Sequence, residues 1–184
     1  MEYVLASASP RRKVLLKKII KNFRVIPSRI DESAVRGKTP AAIAVKAALA
    51  KALDVAGRHP RATVIGADTI VVLGKKILGK PKNRQAATAM LTSLAGKTHQ
   101  VITGLAVVGK NAFSTFVTTT VRMKKVSART IADYVATGRP LDKAGAYGIQ
   151  EIKETFIDKI DGDYDNVVGL PVAALRILLK ESKK

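Results

Sequence analysis

One carboxylate interrupts a markedly apolar stretch near the middle of this 184-residue chain. Asp68 lies within residues 64–72, where valine, isoleucine and small residues otherwise prevail. A charge in such a strand is costly unless it is paired or binds a metal ion, and strand ends in α/β proteins often carry catalytic groups. Asp68 is therefore a candidate for holding a metal, orienting a water molecule or accepting its proton. The alternative is an aspartate that faces solvent from an edge strand.

A strand, a loop and a helix near the start of the chain form a candidate phosphate site. Ser9 is a good helix N-cap and Pro10 suits the first helical position, and backbone amides at a helix N-terminus bind phosphate. Ser7 adds a hydroxyl group, while Arg11 and Arg12 add cations that can fork onto phosphate oxygens. The segment is not a Walker loop, because it lacks the Gly-x-x-x-x-Gly-Lys pattern. Its spacing also suits an ordinary capped helix with surface arginines.

Three weaker candidates lie elsewhere in the chain. Lys80 precedes a proline, which would fix it as a point charge for phosphate. Gln150 ends a glycine-containing segment that would let the backbone approach a ligand closely, and Glu32 is a candidate ligand for a metal or a water molecule. The acidic segment 161–166 lacks the glutamate of a calcium-binding EF-hand loop and is interpreted as a turn packed beside the active cleft. Each of these residues also suits a surface or turn position without a function.

The composition restricts the class of protein. Lys and Arg number 33 against 14 Asp and Glu, so the net charge is +19. Such an excess of positive charge attracts nucleotides, nucleic acid or membrane surfaces. A solvated basic surface explains the excess equally well. No basic stripe is interleaved with aromatics, which disfavours single-strand binding. The absence of cysteine excludes disulfides and thiolate chemistry. Neither a secretory signal nor an apolar run of roughly 18 residues is present, so we expect a cytoplasmic protein.

The elements that must position these residues alternate between strands and helices, with hairpins between some of them. This pattern predicts an α/β protein with a mixed sheet rather than an all-parallel one. The length favours a single domain over residues 1–184, or two closely joined lobes. The pattern predicts strands at 3–6, 23–27, 63–73, 77–78, 99–108 and 113–126, helices at 10–20, 39–57, 83–96 and 127–138 and from Pro171 onward, and a glycine-rich stretch at 145–169.

Taken in order along the chain, several segments resemble the Maf family of nucleotide pyrophosphatases. Each match is short, but the set is specific because it keeps the family's order over nearly the whole chain. The resemblance implies an elongated mixed β-sheet flanked by helices, two closely joined lobes with a central nucleotide cleft, and a homodimer. The matching segments are residues 5–12, 66–69, 78–81, 90–91 with Gly96, 143–150, 162–164 and 166–171.

The resemblance also implies an activity, namely hydrolysis of a nucleoside triphosphate between its α- and β-phosphates with the help of Mg²⁺ or Mn²⁺. The dipeptide Asp68-Thr69 and the segment that ends at Gln150 look like the branch that acts on dTTP and UTP. By motif position, the resemblance implies that Asp68 is the proton acceptor, that Asp68 and Glu32 are metal ligands, and that Glu32 and Lys80 are further catalytic groups. It implies that Ser7, Arg11 and Arg12 bind phosphate and that Lys51 and Lys80 are cations for the triphosphate. Base choice would be set by Arg11, Thr69 and Gln150.

Two features depart from the family pattern. Glu151 stands where members usually have glycine, and Lys153 and Glu154 replace small or apolar residues, so this segment is expected to shape the base pocket differently. The strong positive charge is also unusual for the family and keeps nucleic acid open as a partner. The alternative hypotheses are therefore a nucleic-acid-binding regulator and a nucleotide sensor of cell division that binds a triphosphate without cleaving it.

Overall fold

A mixed β-sheet organises the computed structural model, which describes residues 2–182. Its long strands are rich in valine, isoleucine and threonine, the β-branched residues that suit a pleated, half-buried surface. Within the described residues the strands are β1 (Glu2–Leu5), β2 (Arg24–Val25), β3 (Ala62–Leu73), β4 (Lys76–Leu78), β5 (Thr98–Val108), β6 (Ala112–Met123) and β7 (Ile157–Asp161).

Four of the helices begin at a side-chain cap. Ser9, Thr39, Asn83 and Ser127 each accept a hydrogen bond from the backbone N–H three residues further on. Such a bond satisfies one of the N–H groups that a helix leaves unpaired at its start. The α-helices of residues 2–182 are α1 (Pro10–Lys17), α2 (Pro40–Arg58), α3 (Arg84–Leu94), α4 (Ala128–Ala136), α5 (Ile149–Phe156), α6 (Tyr164–Val168) and α7 (Val172–Glu181).

The strand order explains why one end of β1 is a place for a site. The order is β2-β1-β3-β5-β6-β7, and β4 pairs with β3. Strand β1 runs parallel to β2 and β3, whereas β4 runs antiparallel to β3 and β7 antiparallel to β6, so the predicted mixed sheet is confirmed. Leu5 pairs with Ile65 at the carboxyl end of β1. Because β3 continues to Leu73, Asp68 lies just beyond that end, where ligands of α/β proteins commonly bind.

The chain divides into two compact units. Unit 1 is formed by the described parts of Met1–Thr69, Ile102–Val117 and Asp165–Lys184, and unit 2 by Ile70–Val101 and Thr118–Tyr164. Strands β3, β5 and β6 each contribute residues to both units. The expected single domain over residues 1–184 stays a prediction.

Helix α2 lies unusually close to the sheet in unit 1, and two glycines make this possible. A Cβ atom on Gly66 would lie 2.2 Å from the carbonyl oxygen of Ala48, and one on Gly104 would lie 2.2 Å from that of Ala44. Any other residue would force the helix away from β3 and β5. The close approach buries a charged residue, Lys51, on an otherwise apolar face of α2 formed by Ala44, Ala47, Ala48, Ala52 and Val55.

Unit 2 contains two elements that the sequence pattern did not predict. Helix α5 and strand β7 occupy part of the glycine-rich stretch 145–169, and α6 follows them. The buried apolar residues of α5 have the spacing of a helix, namely Ile149, Ile152 and Phe156. The glycines near this segment favoured a turn, so the helix was not predicted. None of the helices in the described part of the chain is both long and apolar enough to cross a membrane.

Candidate functional site

The loop after β1 places a serine hydroxyl beside the start of α1. The backbone N–H of Ala6 donates to the carbonyl oxygen of Ile65 at 2.8 Å, which extends the pairing with β3 past Leu5. Ser7 follows and is buried. Its hydroxyl oxygen accepts from the backbone N–H of Ser9 at 3.2 Å, and Ser9 in turn caps α1. The predicted strand–loop–helix is therefore present, with Ser7 facing inward.

Arg12 is held by three protein groups of unit 1, two of which are distant in the sequence. Its Nε donates to the carbonyl oxygen of Gly169 at 2.8 Å, and its terminal nitrogens donate to Ser7 Oγ at 3.2 Å and Thr69 Oγ1 at 3.1 Å. Burial lowers the pKa of Arg12, while the carboxylates of Asp68 and Glu32 oppose that shift. A guanidinium remains charged nonetheless, so Arg12 provides a fixed positive charge at the end of β1.

A chain of hydroxyl groups continues from Arg12 into the sheet. Thr69 Oγ1 lies 2.9 Å from Thr103 Oγ1, and Thr103 Oγ1 donates to the carbonyl oxygen of Asn166 at 3.1 Å. A hydroxyl has a single proton to donate. Since the proton of Thr103 is used for Asn166, Thr69 must donate to Thr103 while it accepts from Arg12. The Thr69 oxygen therefore faces any further partner as an acceptor.

A buried lysine bridges the two predicted acidic residues. Lys51 Nζ lies 2.6 Å from Asp68 Oδ1 and 2.9 Å from Glu32 Oε1. The side chains of Lys51 and Asp68 are 5% and 11% exposed, whereas that of Glu32 is 47% exposed. A buried charge is tolerated only when it is paired, so the arrangement explains how an aspartate is accommodated in β3. The short contact has the length of a charge-assisted hydrogen bond.

Local structure fixes each member of this cluster. Successive residues of a strand face opposite sides of a sheet, so Asp68 shares the α2-facing side of β3 with Gly66, and Thr69 faces the other side. Glu32 begins a short 3-10 helix, Glu32–Ala34, whose cap is Asp31. The Asp31 carboxylate accepts from the backbone N–H of Ser33 at 2.9 Å, which holds the turn that presents Glu32.

The donor set of the cluster fits a hard divalent cation. Asp68 Oδ1 and Glu32 Oε1 both converge on one nitrogen atom, that of Lys51. Among residues 2–182 there is no group of three or more His, Cys, Asp or Glu side chains that could hold a metal ion. Mg²⁺ commonly uses one or two carboxylates and takes its other ligands from water and phosphate oxygens. Two carboxylate donors, in the same unit as the Ser7 and Arg12 loop, match that requirement.

The nine predicted site residues are divided between the two units. Ser7, Arg11, Arg12, Glu32, Lys51, Asp68 and Thr69 belong to unit 1, and Lys80 and Gln150 belong to unit 2. Within unit 2 the backbone N–H of Gly145 donates to the carbonyl oxygen of Gly79 at 3.1 Å, so the segments that contain Lys80 and Gln150 meet. Both of these side chains are exposed.

The sequence did not single out some residues that support the site. Thr103 and Asn166 complete the hydroxyl chain, and both are fully buried. The weak signal for Thr103 is a polar side chain within the apolar strand β5. Asn166 lies in the acidic segment 161–166, which turns between the end of β7 and the start of α6. Arg11 lies in the first turn of α1 with a partly exposed side chain.

Comparisons with known proteins agree with the resemblance. A family model described as "Maf-like protein" matches residues 2–182. The dTTP/UTP pyrophosphatase of Moorella thermoacetica is 50% identical over 179 residues, which cover 96% of this chain and 92% of the relative. That of Clostridioides difficile strain 630 is 44% identical over 184 residues, 98% of this chain and 95% of the relative. The solved nucleoside-triphosphatase / dITP/XTP pyrophosphatase of Mycobacterium abscessus has 12% identity and a TM-score of 0.42, covering 68% of this chain and 76% of its own.

Proposed function

Because this chain belongs to the Maf family, we propose that it hydrolyses dTTP and UTP to the nucleoside monophosphate and pyrophosphate. Relatives that are 44% and 50% identical over almost the whole chain carry the name dTTP/UTP pyrophosphatase. The observation that carries the proposal is the buried Lys51–Asp68 pair at the carboxyl end of β1, in the same unit as the Ser7 and Arg12 loop. A general base and an anion-binding loop are the parts that such a hydrolysis needs.

Asp68 would act as the base in this reaction. Its Oδ1 atom is held by Lys51, so Oδ2 would accept the proton of an attacking water molecule. The water oxygen bonds to the α-phosphorus, the bond from that phosphorus to the bridging oxygen breaks, and the electron pair leaves with pyrophosphate. Lys51 would keep the Asp68 carboxylate oriented. Fixing the base in this way avoids reorganisation during the reaction, which lowers the barrier.

Asp68 and Glu32 would hold the divalent cation, Mg²⁺ or Mn²⁺. When bound, such an ion neutralises phosphate charge and makes water a better nucleophile near neutral pH. The residues of the chain supply the remaining compensation for a strongly anionic substrate. The Ser7 hydroxyl, the first-turn amides of α1 and the Arg11 and Arg12 cations would bind phosphate oxygens, and Lys80 would add a further positive charge.

Base choice would depend on Arg11, Thr69 and Gln150. The hydrogen-bond chain from Arg12 to Thr103 leaves the Thr69 oxygen able to accept from a ligand but not to donate to it. Uracil and thymine carry a donor at N3, whereas cytosine carries an acceptor there. A site that accepts at this position would therefore favour UTP and dTTP over CTP and dCTP, because the wrong base leaves a buried acceptor unpaired.

Substitution of Asp68 tests the proposal. The purified protein is incubated with each common nucleoside triphosphate and Mn²⁺ or Mg²⁺, and pyrophosphate release is measured. We expect release from dTTP and UTP, and an Asp68→Asn variant should lower turnover by ~10²-fold or more, the scale for losing a positioned base. Asp133→Asn is the matched control, because Asp133 lies on α4 with a side chain that is 75% exposed, and it should behave as wild type.

Three outcomes would contradict this assignment. Normal turnover in the Asp68→Asn variant would remove Asp68 from the mechanism. Binding of dTTP or UTP without pyrophosphate release would identify a nucleotide sensor instead of an enzyme. Release of pyrophosphate only from purine triphosphates would overturn the substrate class while leaving the hydrolysis in place.

A further inference from the structure

A strained turn in unit 2 precedes the helix that carries Gln150. Gly145 and Ala146 have φ values of +66° and +63°, both in the left-handed region. Ala146 is the residue other than glycine with positive φ in the described part of the chain. A residue with a Cβ atom adopts this conformation only when its surroundings enforce it, and such strain clusters at functional sites. The residues on either side of the turn must therefore hold it in place.

Lys143 anchors the turn on its N-terminal side. Its side chain is 6% exposed, and its Nζ atom lies 2.7 Å from Asp142 Oδ1 and 3.3 Å from Glu151 Oε1. It also donates to the carbonyl oxygen of Arg139. The Asp142 side chain is 63% exposed and that of Glu151 24%, so Glu151 is the more deeply buried counter-ion. A buried ammonium that loses such a partner becomes very unfavourable.

Glu151 also anchors the turn on its C-terminal side. Its Oε2 atom accepts from the hydroxyl of Tyr134 at 2.8 Å, and the same hydroxyl oxygen accepts from the backbone N–H of Gly148 at 3.2 Å. Burial, and to a lesser extent Glu151, raises the pKa of Tyr134, so the phenol stays a donor to the carboxylate. One carboxyl group therefore fixes Lys143 before the turn and Gly148 after it.

The packing leaves little freedom within this network. A Cβ atom on Gly148 would lie 2.7 Å from Cε of Lys143, so the lysine stem rests directly on the glycine backbone. Tyr147 lies between the strained turn and Gly148. It is buried, and its hydroxyl is held 2.7 Å from Nε2 of His99. Gln150 follows in the first turn of α5 and its side chain is exposed. The packing of the buried Tyr147 and Ile149 thus holds the start of α5, from which Gln150 projects.

We propose that Glu151 is a positioning residue that aligns Gln150 for recognition of the nucleotide base. The inference rests on the proposed function, since it deepens the base selection assigned there to Gln150. The substrate phosphates and the Asp68 chemistry belong to other residues, so loss of Glu151 should affect binding of the base far more than the hydrolytic step.

Kinetics with matched substitutions test this role. Glu151→Gln removes the charge that pairs with Lys143, and Tyr134→Phe removes a single oxygen from the network. Glu154→Gln is the control, because Glu154 lies on the same helix and its side chain is outside the network. We expect both network variants to raise KM for UTP and dTTP about tenfold, the effect of misplacing roughly one hydrogen bond. Their kcat values and the inhibition constant of inorganic tripolyphosphate should stay near those of wild type.

Two further measurements separate positioning from mere stability. Selectivity for UTP over CTP should fall in both network variants, and the double variant should lose no more than either single one, because the two residues act through one network. Thermal melting identifies any variant that fails to fold; Tyr134→Phe then carries the test alone. If folded network variants match Glu154→Gln in KM and selectivity, or if kcat and tripolyphosphate inhibition change together with KM, the proposal is overturned.

Failure of the proposed function would look different. Calorimetric titration of UTP and of tripolyphosphate into wild type and variants requires no turnover. Absence of pyrophosphate release from wild type would overturn the proposed hydrolysis, while weaker UTP binding by Glu151→Gln with unchanged tripolyphosphate binding would still support the positioning role. Equal UTP binding by wild type and variant would overturn the positioning role whether or not the wild type is an enzyme.

Discussion

Asp68 is surrounded by apolar strand residues, yet its carboxylate is not isolated, because Lys51 approaches it from α2 at 2.6 Å. In the proposed reaction this pair would orient the base, because the lysine fixes one of the two carboxylate oxygens. Glu32 contacts the same ammonium from a more exposed position, so it can meet a metal ion or water at lower cost of desolvation.

The burial of His99 makes stability depend on pH. Burial lowers the pKa of His99 from 6.5 to about 4, so the folded protein holds this side chain neutral, while the unfolded chain binds a proton as the pH falls below 6.5. The stability that depends on a neutral His99 is therefore fully present above pH 6.5 and is lost as the pH falls toward 4. The pKa difference corresponds to about 3 kcal/mol of unfolding free energy.

A variant measures this contribution directly. His99→Gln keeps a hydrogen-bonding group near the Tyr147 hydroxyl but cannot titrate. Denaturant unfolding at several values between pH 7.5 and pH 4 should show that wild type loses more stability than His99→Gln over this interval. His59→Gln is the control, because His59 is the partly exposed C-cap residue of α2 and lies outside the buried contact with Tyr147. Parallel loss of stability in wild type and His99→Gln would contradict the prediction.

At the scale of elements, the contact between α2 and β3 decides whether Lys51 reaches Asp68. The two residues are 17 positions apart and belong to different elements. Their pairing requires the helix backbone to lie against the strand, and Gly66 provides the space, two residues before Asp68 on the same face. The Lys51–Asp68 contact thus depends on the absence of a side chain at Gly66.

Substitution of Gly66 tests this dependence. In Gly66→Ala the new methyl group would meet the Ala48 carbonyl oxygen at 2.2 Å and the Ala52 side chain at 3.0 Å, so α2 must move away. We expect a loss of about 1–3 kcal/mol in unfolding free energy, as for other overpacked cores, and a fall in kcat because Lys51 separates from Asp68. Thermal melting and steady-state kinetics measure the two effects.

Gly57→Ala is the matched control for that substitution. Gly57 also lies on α2, and a Cβ atom there would meet no described atom within 4 Å. Because alanine favours the helix, this variant should be unchanged or slightly more stable. A Gly66→Ala variant with wild-type stability and kcat would show that the helix tolerates the added methyl group, and the close approach would then be irrelevant to activity.

For the whole molecule, the net charge of +19 should influence how an anionic substrate arrives. A strongly positive protein attracts anions over distances that salt shortens. We therefore expect KM for UTP to rise about three- to tenfold between ~0.05 M and ~0.5 M salt, with a smaller change in kcat. Inhibition by uridine, which is uncharged, is the control and should depend little on salt. A KM that is independent of salt would contradict this prediction. The positive charge would then form a solvated surface that does not attract the substrate.

The local sequence determined the parts of this protein that depend on neighbouring residues. The caps at Ser9, Asn83 and Ser127, the long strand that contains Asp68, and the helix that begins after Thr39 follow from side chains a few positions apart. These predictions are confirmed, as are the mixed sheet and the family. The short elements α5 and β7 were missed, because an eight-residue helix between glycines gains its stability from packing and not from its own sequence.

Tertiary structure alone decided which of these residues meet. Arg12 donates to Gly169, 157 positions away, and Thr69 pairs with Thr103, 34 positions away. Neither contact leaves a periodic trace in the sequence, since each depends on the order of strands in the sheet and on the space between backbones. The sequence therefore predicted which residue types the candidate site contains. Only the tertiary structure decided which groups each of these residues contacts and in which direction its side chain is held.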